Sequence, residues 1–397
     1  MKYFYLAILL IIINIPTLKA QWLPTTGSVY SCNAIFFPDT NTGYAVGVAL
    51  VKSIDGGNTW NSLSIAAGEE DESIWFEDDT KGIVVGGNSG NPVVKSTING
   101  GINWKDITSP FIKTKANELF FLNMDTGIVV GDSGSISSTY NGGNTWNNIA
   151  YGGNENLNDL YFLTDSIGLV VGNKGTLYKT FDGGNNWTLI SIQTIANLNS
   201  IHFVNHFIGY IAADSGYIFE TIDAGQSWQI LNSTTQENLN AIHFTNLDTG
   251  FCVGNNGAIL KTINGGITWL KQNSGTAQKL NCTYAKWATL AVAAGENGTI
   301  LKTTNGGELN TNIEVPLNST ILFHKEGNFL IIKSTTNISP IQLNIFDASG
   351  KLMLSSTIKN PNYYSLDLNS LTISTGIYTI NIVGNNFIEY AKYFIEK

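Results

Sequence analysis

The segment TINGGITW at residues 262–269 recurs with small changes along most of the chain, and that recurrence limits the fold more than any other feature. Aligned on the acidic or amide position, the copies are SIDGGNTW (Asp55), TINGGINW (Asn99), TYNGGNTW (Asn141), TFDGGNNW (Asp182), TIDAGQSW (Asp223), TINGGITW (Asn264) and a broken copy, TTNGGELN (Asn305). The spacings are 44, 42, 41, 41, 41 and 41 residues. A period of about 40–45 residues with four short apolar strands per unit is that of a propeller blade. The expected fold is therefore all-β: a seven-bladed propeller over residues 21–310, then a linker at 311–316 and a small β-sandwich at 317–397.

Each residue type in the box has a mechanical reason. The Asp or Asn side chain is expected to accept backbone N–H groups one to three residues on, as in an Asx turn. The Gly-Gly pair supplies positive φ, and the preceding Ser or Thr adds a hydroxyl. The indoles of Trp60, Trp104, Trp146, Trp187, Trp228 and Trp269 open the last strand of each blade and bury a large ring against the blade's own hairpin. The seventh copy has Asn310 where the Trp belongs. The stretch QWLPTTGS at 21–28 matches TWLKQNSG after the sixth box, so Trp22 is expected to supply the missing outer strand and close the ring. Such closure removes exposed strand edges.

Before Gln21 stands MKYFYLAILLIIINIPTLKA, a lysine, an apolar run and a small residue at Ala20. This reads as a secretory signal peptide at residues 1–20. No cysteine follows the cut, so a lipoprotein anchor is not expected. The whole chain carries a net charge of −9, and loss of Lys2 and Lys19 makes it more acidic, which argues against nucleic acid as a partner. All basic residues are lysine and none is arginine, so the planar fork that grips carboxylates and phosphates is missing.

The strand motif TGYAVG, KGIVVG, TGIVVG or IGLVVG followed by the box resembles the seven-bladed propellers of the photosystem II stability and assembly factor family. The box alone is similar to the Asp-box of sialidase-type proteins. The resemblance covers about residues 21–310 and implies the fold firmly, while the scaffold hosts enzymes, receptors and assembly factors alike. Sialidase activity is not expected, because that resemblance would demand an arginine cluster. A photosystem role is weakened by the same lack. Beyond residue 316, FDASGKLM, DLNSLTISTGIYTINI and the lysine-flanked terminus resemble the C-terminal sorting domain of type IX secretion cargo in Bacteroidota. FHKEGN stands where that family has a YPNP-like start, and an accessory β-module is the alternative. The resemblance implies export through the periplasm to the medium or the outer cell surface, with the type IX machinery as a partner.

Candidate sites follow from the phase of the repeat. Asn33, Glu72, Asn117, Asn158, Asn199, Asn240 and Asn281 start the inner strands and are expected to ring the channel mouth, either as a polar collar for a ligand or as amides that bond the neighbouring blade. Three residues on, Phe36, Trp75, Phe120, Tyr161, His202, His243 and Tyr284 form an aromatic series; this makes a packing slot the better reading of the two histidines than a metal site. The acidic run GEEDESIWFEDD at 68–79, with Asp132, Asp214 and Glu296, could supply the paired carboxylates of a glycosidase. Cys32 and Cys282 become neighbours on closure and are candidates for a disulfide clasp; Cys252 completes the set. No cofactor or metal is expected.

The reading favoured by these residues is a monomeric, non-enzymatic, secreted or surface-attached propeller that binds a protein or glycan. A polysaccharide hydrolase and an assembly factor are the alternatives. Specificity is expected in loops 64–73 and 109–116, away from the box.

Overall fold

The computed structural model describes residues 22–27, 30–63, 71–88, 91–107, 114–123, 125–149 and 153–307, together with the C-terminal strands between 321 and 395. The signal peptide, the linker and most of both loops named above lie outside them. Seven antiparallel four-stranded sheets follow one another, six of them meanders of successive strands and the seventh a three-stranded meander completed by the N-terminal strand. Blade five is representative: Leu198–Phe203, Gly209–Ala213, Ile218–Thr221 and Gln229–Leu231.

The second strands, such as Gly168–Gly172 and Gly250–Gly254, are buried along their whole length, which explains their continuous apolar runs. They are covered by their own blade and by the next one. One cluster joins Leu169 and Val171 of blade four to Leu198, Ile201, Phe203 and Ile211 of blade five. The core therefore lies between blades, and no blade buries its apolar faces alone.

The ring closes as the sequence predicts. Leu23–Pro24 pairs antiparallel with Ile300–Thr303, with Leu23 opposite Lys302, and becomes the fourth strand of blade seven. Trp22 is fully buried, and its ring meets Phe251 edge-on at 5.7 Å. In the other blades the box Trp meets an aromatic ring at the end of its own first strand, as in Trp269 against Phe244 at 5.8 Å and 88°. Blade seven has Ala285 at that place, so Trp22 uses the neighbouring blade's Phe251 instead.

The box carboxylates accept backbone N–H groups three and four residues on: Asp55 takes those of Asn58 and Thr59, and Asp223 those of Gln226 and Ser227. The carboxylate of Asp182 accepts the N–H of Asn186, four residues on, at 2.9 Å. The nearer Gly184 N–H goes instead to Thr180 Oγ1 at 2.9 Å, and Thr180 Oγ1 donates to Asp182 Oδ1 at 2.8 Å. The hydroxyl takes the amide that the carboxylate would have reached. Gly265 and Gly266 both have positive φ, 65° and 81°, so the turn needs glycine there. One backbone bond ties each box to the turn between the first two strands of its own blade, as in Gly265 N–H to Asp248 O at 2.8 Å and Gly183 N–H to Ser166 O at 2.9 Å.

In the C-terminal part, Ile321–Glu326, Phe329–Ser334 and Tyr364–Asp367 form one antiparallel sheet. Leu352–Ile358, Ile341–Asp347, Gly376–Val383 and Ile388–Ile395 form another, in that order. Leu343, Ile345 and Ile380 turn inward and are fully buried.

Replacing Trp22 with alanine leaves a cavity beside the strand that closes the ring. The expected cost is about 3–5 kcal/mol. Thermal unfolding should show that loss, and limited proteolysis should cut first between residues 280 and 303.

Candidate binding faces and the central channel

Each first strand carries a bulge at its start, for example between Leu198 and Ser200 where it pairs with Gly209–Ala213. The bulged residue is the collar asparagine, and a bulge re-aims its side chain. The structure brings the seven collar positions together, one per blade. Six of them donate Nδ2 to a carbonyl of the next blade: Asn33 to Asp71 at 3.1 Å, Asn117 to Leu157 at 2.9 Å, Asn158 to Leu198 at 2.9 Å, Asn199 to Leu239 at 2.8 Å, Asn240 to Leu280 at 2.7 Å and Asn281 to Cys32 at 2.9 Å. The last of these spans the closure. Four spend a second hydrogen bond on the turn after their own second strand, on Asp132, Asn173, Asp214 and Asn255.

Glu72 is the exception in the ring. A carboxylate cannot donate, and it pairs with Lys115 Nζ of blade three at 2.5 Å. The joint between blades two and three is thus ionic where the others are amide to carbonyl.

Two of the sequence-predicted carboxylates, Asp132 and Asp214, are occupied as acceptors for these amides. Glu296 is exposed at the start of a turn. In the acidic run, Glu77 pairs with Lys81 at 3.6 Å. Asp78 accepts the Thr80 hydroxyl and the N–H groups of Lys81 and Thr80, which hold its carboxyl at about 2. These are turn-forming roles.

Inside the collar the channel encloses about 940 Å³. Two residues on the channel wall escaped the sequence reading. Glu118 and Asp159 stand one position after the collar in adjacent blades. Glu118 accepts the Ser73 hydroxyl and the N–H of Leu119, and Asp159 accepts N–H groups from Leu160 at 2.7 Å and from Ile201 of blade five at 2.8 Å. Burial, with the Asp159 charge beside it, pushes Glu118 well above the usual carboxylate range; burial also raises Asp159, against its hydrogen bonds. The detectable signal was the repeat phase, since the same position holds Ala34, Ser73, Ser200, Ala241 and Cys282 in the other blades.

The aromatic series lines the channel below. His202 donates Nε2–H to Phe244 O at 3.2 Å, as the Tyr161 hydroxyl does to Phe203 O at 3.1 Å. The imidazoles of His202 and His243 pack with ring centres 4.4 Å apart. Burial lowers the pKa of both, and the neighbouring His202 lowers that of His243 further. No group of three or more His, Cys, Asp or Glu side chains able to hold a metal gathers among the described residues.

The proposed disulfide clasp is not formed. Cys32, Cys252 and Cys282 are buried and joined in no disulfide. Cys32 and Cys282 share one core cluster, but their Sγ atoms turn toward the carbonyls of Tyr30 and Ala294, each at 3.7 Å.

Comparison with known proteins places this geometry. Residues 144–234 and 227–321 match the family of photosynthesis system II assembly factor YCF48, and residues 326–396 match the secretion system C-terminal sorting domain. The later blades of the propeller are thus similar to the photosystem II assembly factors, and the C-terminal part to the type IX secretion sorting domain. Two YCF48 structures are similar. One, described as bound to D1 peptide, is 17% identical with a TM-score of 0.60 and covers 72% of this chain and 98% of its own. The other, from Cyanidioschyzon merolae, is 18% identical with a TM-score of 0.62 and covers 72% and 99%. An ancestral GH74 enzyme is 13% identical with a TM-score of 0.57 over 94% of this chain and 63% of its own. These likenesses show the propeller fold. A search of curated proteins finds no match. The sorting domain marks the protein as secreted or held at the cell surface.

The Glu118–Asp159 pair makes stability depend on pH in a defined direction. With raised carboxyl pKa values the folded state binds more protons than the unfolded chain, so stability falls as pH rises from about 5 to about 9. Glu118→Gln keeps an acceptor for Ser73 and Leu119 without the charge. Its thermal midpoint should exceed that of the native protein at the alkaline end by at least about 3 °C and approach it at the acidic end.

Proposed function

We propose that the protein is a non-catalytic scaffold, exported through the periplasm by its sorting tail, whose rigid disc binds a protein partner. The observation that carries this reading is the commitment of the channel-mouth chemistry to the ring itself: six collar amides, Asp132 and Asp214 all serve joints between or within blades. What such a disc offers is a fixed surface. The peptide in the description of one YCF48 structure supports a protein rather than a glycan as the partner. The lack of arginine separates this chain from chemistry that relies on a guanidinium patch.

Glycoside hydrolysis is the second reading, and Glu118 and Asp159 favour it, because neighbouring carboxyls with raised pKa values are what such chemistry needs. Against it, Asp159 is held by backbone N–H groups of two blades, and that position in the wall leaves it poorly placed to activate water or attack a sugar.

The full mature chain, incubated with pooled polysaccharides and read for both retention and new reducing ends, separates the two. The scaffold reading predicts no release. Release that Glu118→Gln abolishes would establish the hydrolase instead.

A further inference from the structure

The box face of the disc, rather than the channel mouth, carries the unusual surface. In the four-stranded meander, the box and the turn between the first two strands lie at the same end of each blade, as their mutual backbone bonds require. At the position before the box Asp or Asn, blades one to four and six present Ile54, Ile98, Tyr140, Phe181 and Ile263, exposed by 70%, 80%, 53%, 61% and 60%, while Ile222 of blade five is half-buried against the core. Blade seven has Thr304 there, but its neighbouring turn presents Trp287, 56% exposed. Turn mechanics do not require an apolar residue at this place: Thr304 occupies it without altering the bonds of its box, where Gly307 N–H still meets Thr303 Oγ1 at 2.7 Å. Apolar side chains repeated around one face mark an interaction surface.

The adjoining turns supply the second half of the pattern. Asp39, Asp78, Asp125, Asp165 and Asp248 stand in these turns of blades one to four and six, with Glu77 and Asp79 beside Asp78, against Lys81 and Lys286 as the cations of the same turns. Two of the three box aspartates, Asp55 and Asp223, have a lysine beside them. Lys302 Nζ reaches the box of blade one through Gly56 O at 2.8 Å, and Lys179 Nζ the box of blade five through Ala224 O at 2.6 Å. The negative charge of the outer turns is thus left facing solvent.

We infer that the box face docks a basic segment of a protein partner in which apolar residues alternate with lysine or arginine. Its apolar side chains would cover the crown of Ile98, Phe181 and their equivalents, and its cations would meet the turn aspartates. This rests on the scaffold reading and specifies the face and the chemistry of the partner.

The test uses the full mature chain and a 14-residue peptide of alternating leucine and lysine, with a leucine–glutamate peptide as counterpart, read by fluorescence anisotropy. The leucine–lysine peptide should bind, and the other should not. The triple variant Ile98→Ser, Phe181→Ser, Ile263→Ser should weaken binding by about tenfold or more. Leu189→Ser with Leu270→Ser, on exposed outer strands, should leave it unchanged. Asp125→Asn, Asp165→Asn and Asp248→Asn together should flatten its dependence on salt. Equal binding by the triple variant, or no binding by the native protein, overturns the inference. So does binding of phosphatidylglycerol vesicles that the triple variant loses, since that would assign the face to lipid. The scaffold reading fails separately, through release of reducing ends in the polysaccharide experiment.

Discussion

A side-chain amide that reaches across the gap between blades is the interaction on which this molecule depends. The core is shared between neighbouring sheets, so apolar burial holds only if each blade keeps its angle to the next. The collar asparagines fix that angle at one end of the first strands, each through a bulge that turns its amide sideways. Lysine and tyrosine do the same at the box end. Lys52 and Tyr44 donate to Gly100 O of blade two, and Tyr210 donates to Gly265 O of blade six. The disc is bolted at both faces.

This arrangement gives lysine a structural use, since Lys52, Lys179 and Lys302 each donate Nζ to a box carbonyl of the next blade. The same arrangement limits the chemistry left for function. Polar groups that seem to converge on the channel are already joined to the next blade, and the carboxyl pair that does face the channel is held by backbone N–H groups. What remains uncommitted is surface, and the box face carries its most regular apolar pattern.

The sequence revealed those features that repeat in phase. Spacing gave the blades, the broken seventh box and the QWLPTTGS stretch gave the closure through Trp22, and the constant amide position gave the collar. Features that depend on contacts across blades were not legible. The bond from a lysine to the next blade's glycine carbonyl has no local signature, because the lysine lies in an ordinary third strand. Glu118 and Asp159 were hidden because their equivalents are alanine, serine and cysteine, so no acidic pattern repeats. Adjacency on ring closure correctly brought Cys32 and Cys282 into one cluster but did not give the direction of their sulfur atoms. The Asx turn was legible in its main contact, since Asp55 and Asp223 accept the N–H three residues on, while the further bond to the fourth N–H and the hydroxyl's capture of the second were not.

The most direct measurement is thermal unfolding of Asn158→Ala, Asn199→Ala and Asn240→Ala, singly and together, beside Gln193→Ala at an exposed position between blades. If the collar is the ring's fastener, each single change costs about 1–2 kcal/mol and the triple variant roughly their sum, while Gln193→Ala is neutral. Collar variants as stable as Gln193→Ala would contradict the account and return the ring of amides to the role of a ligand site.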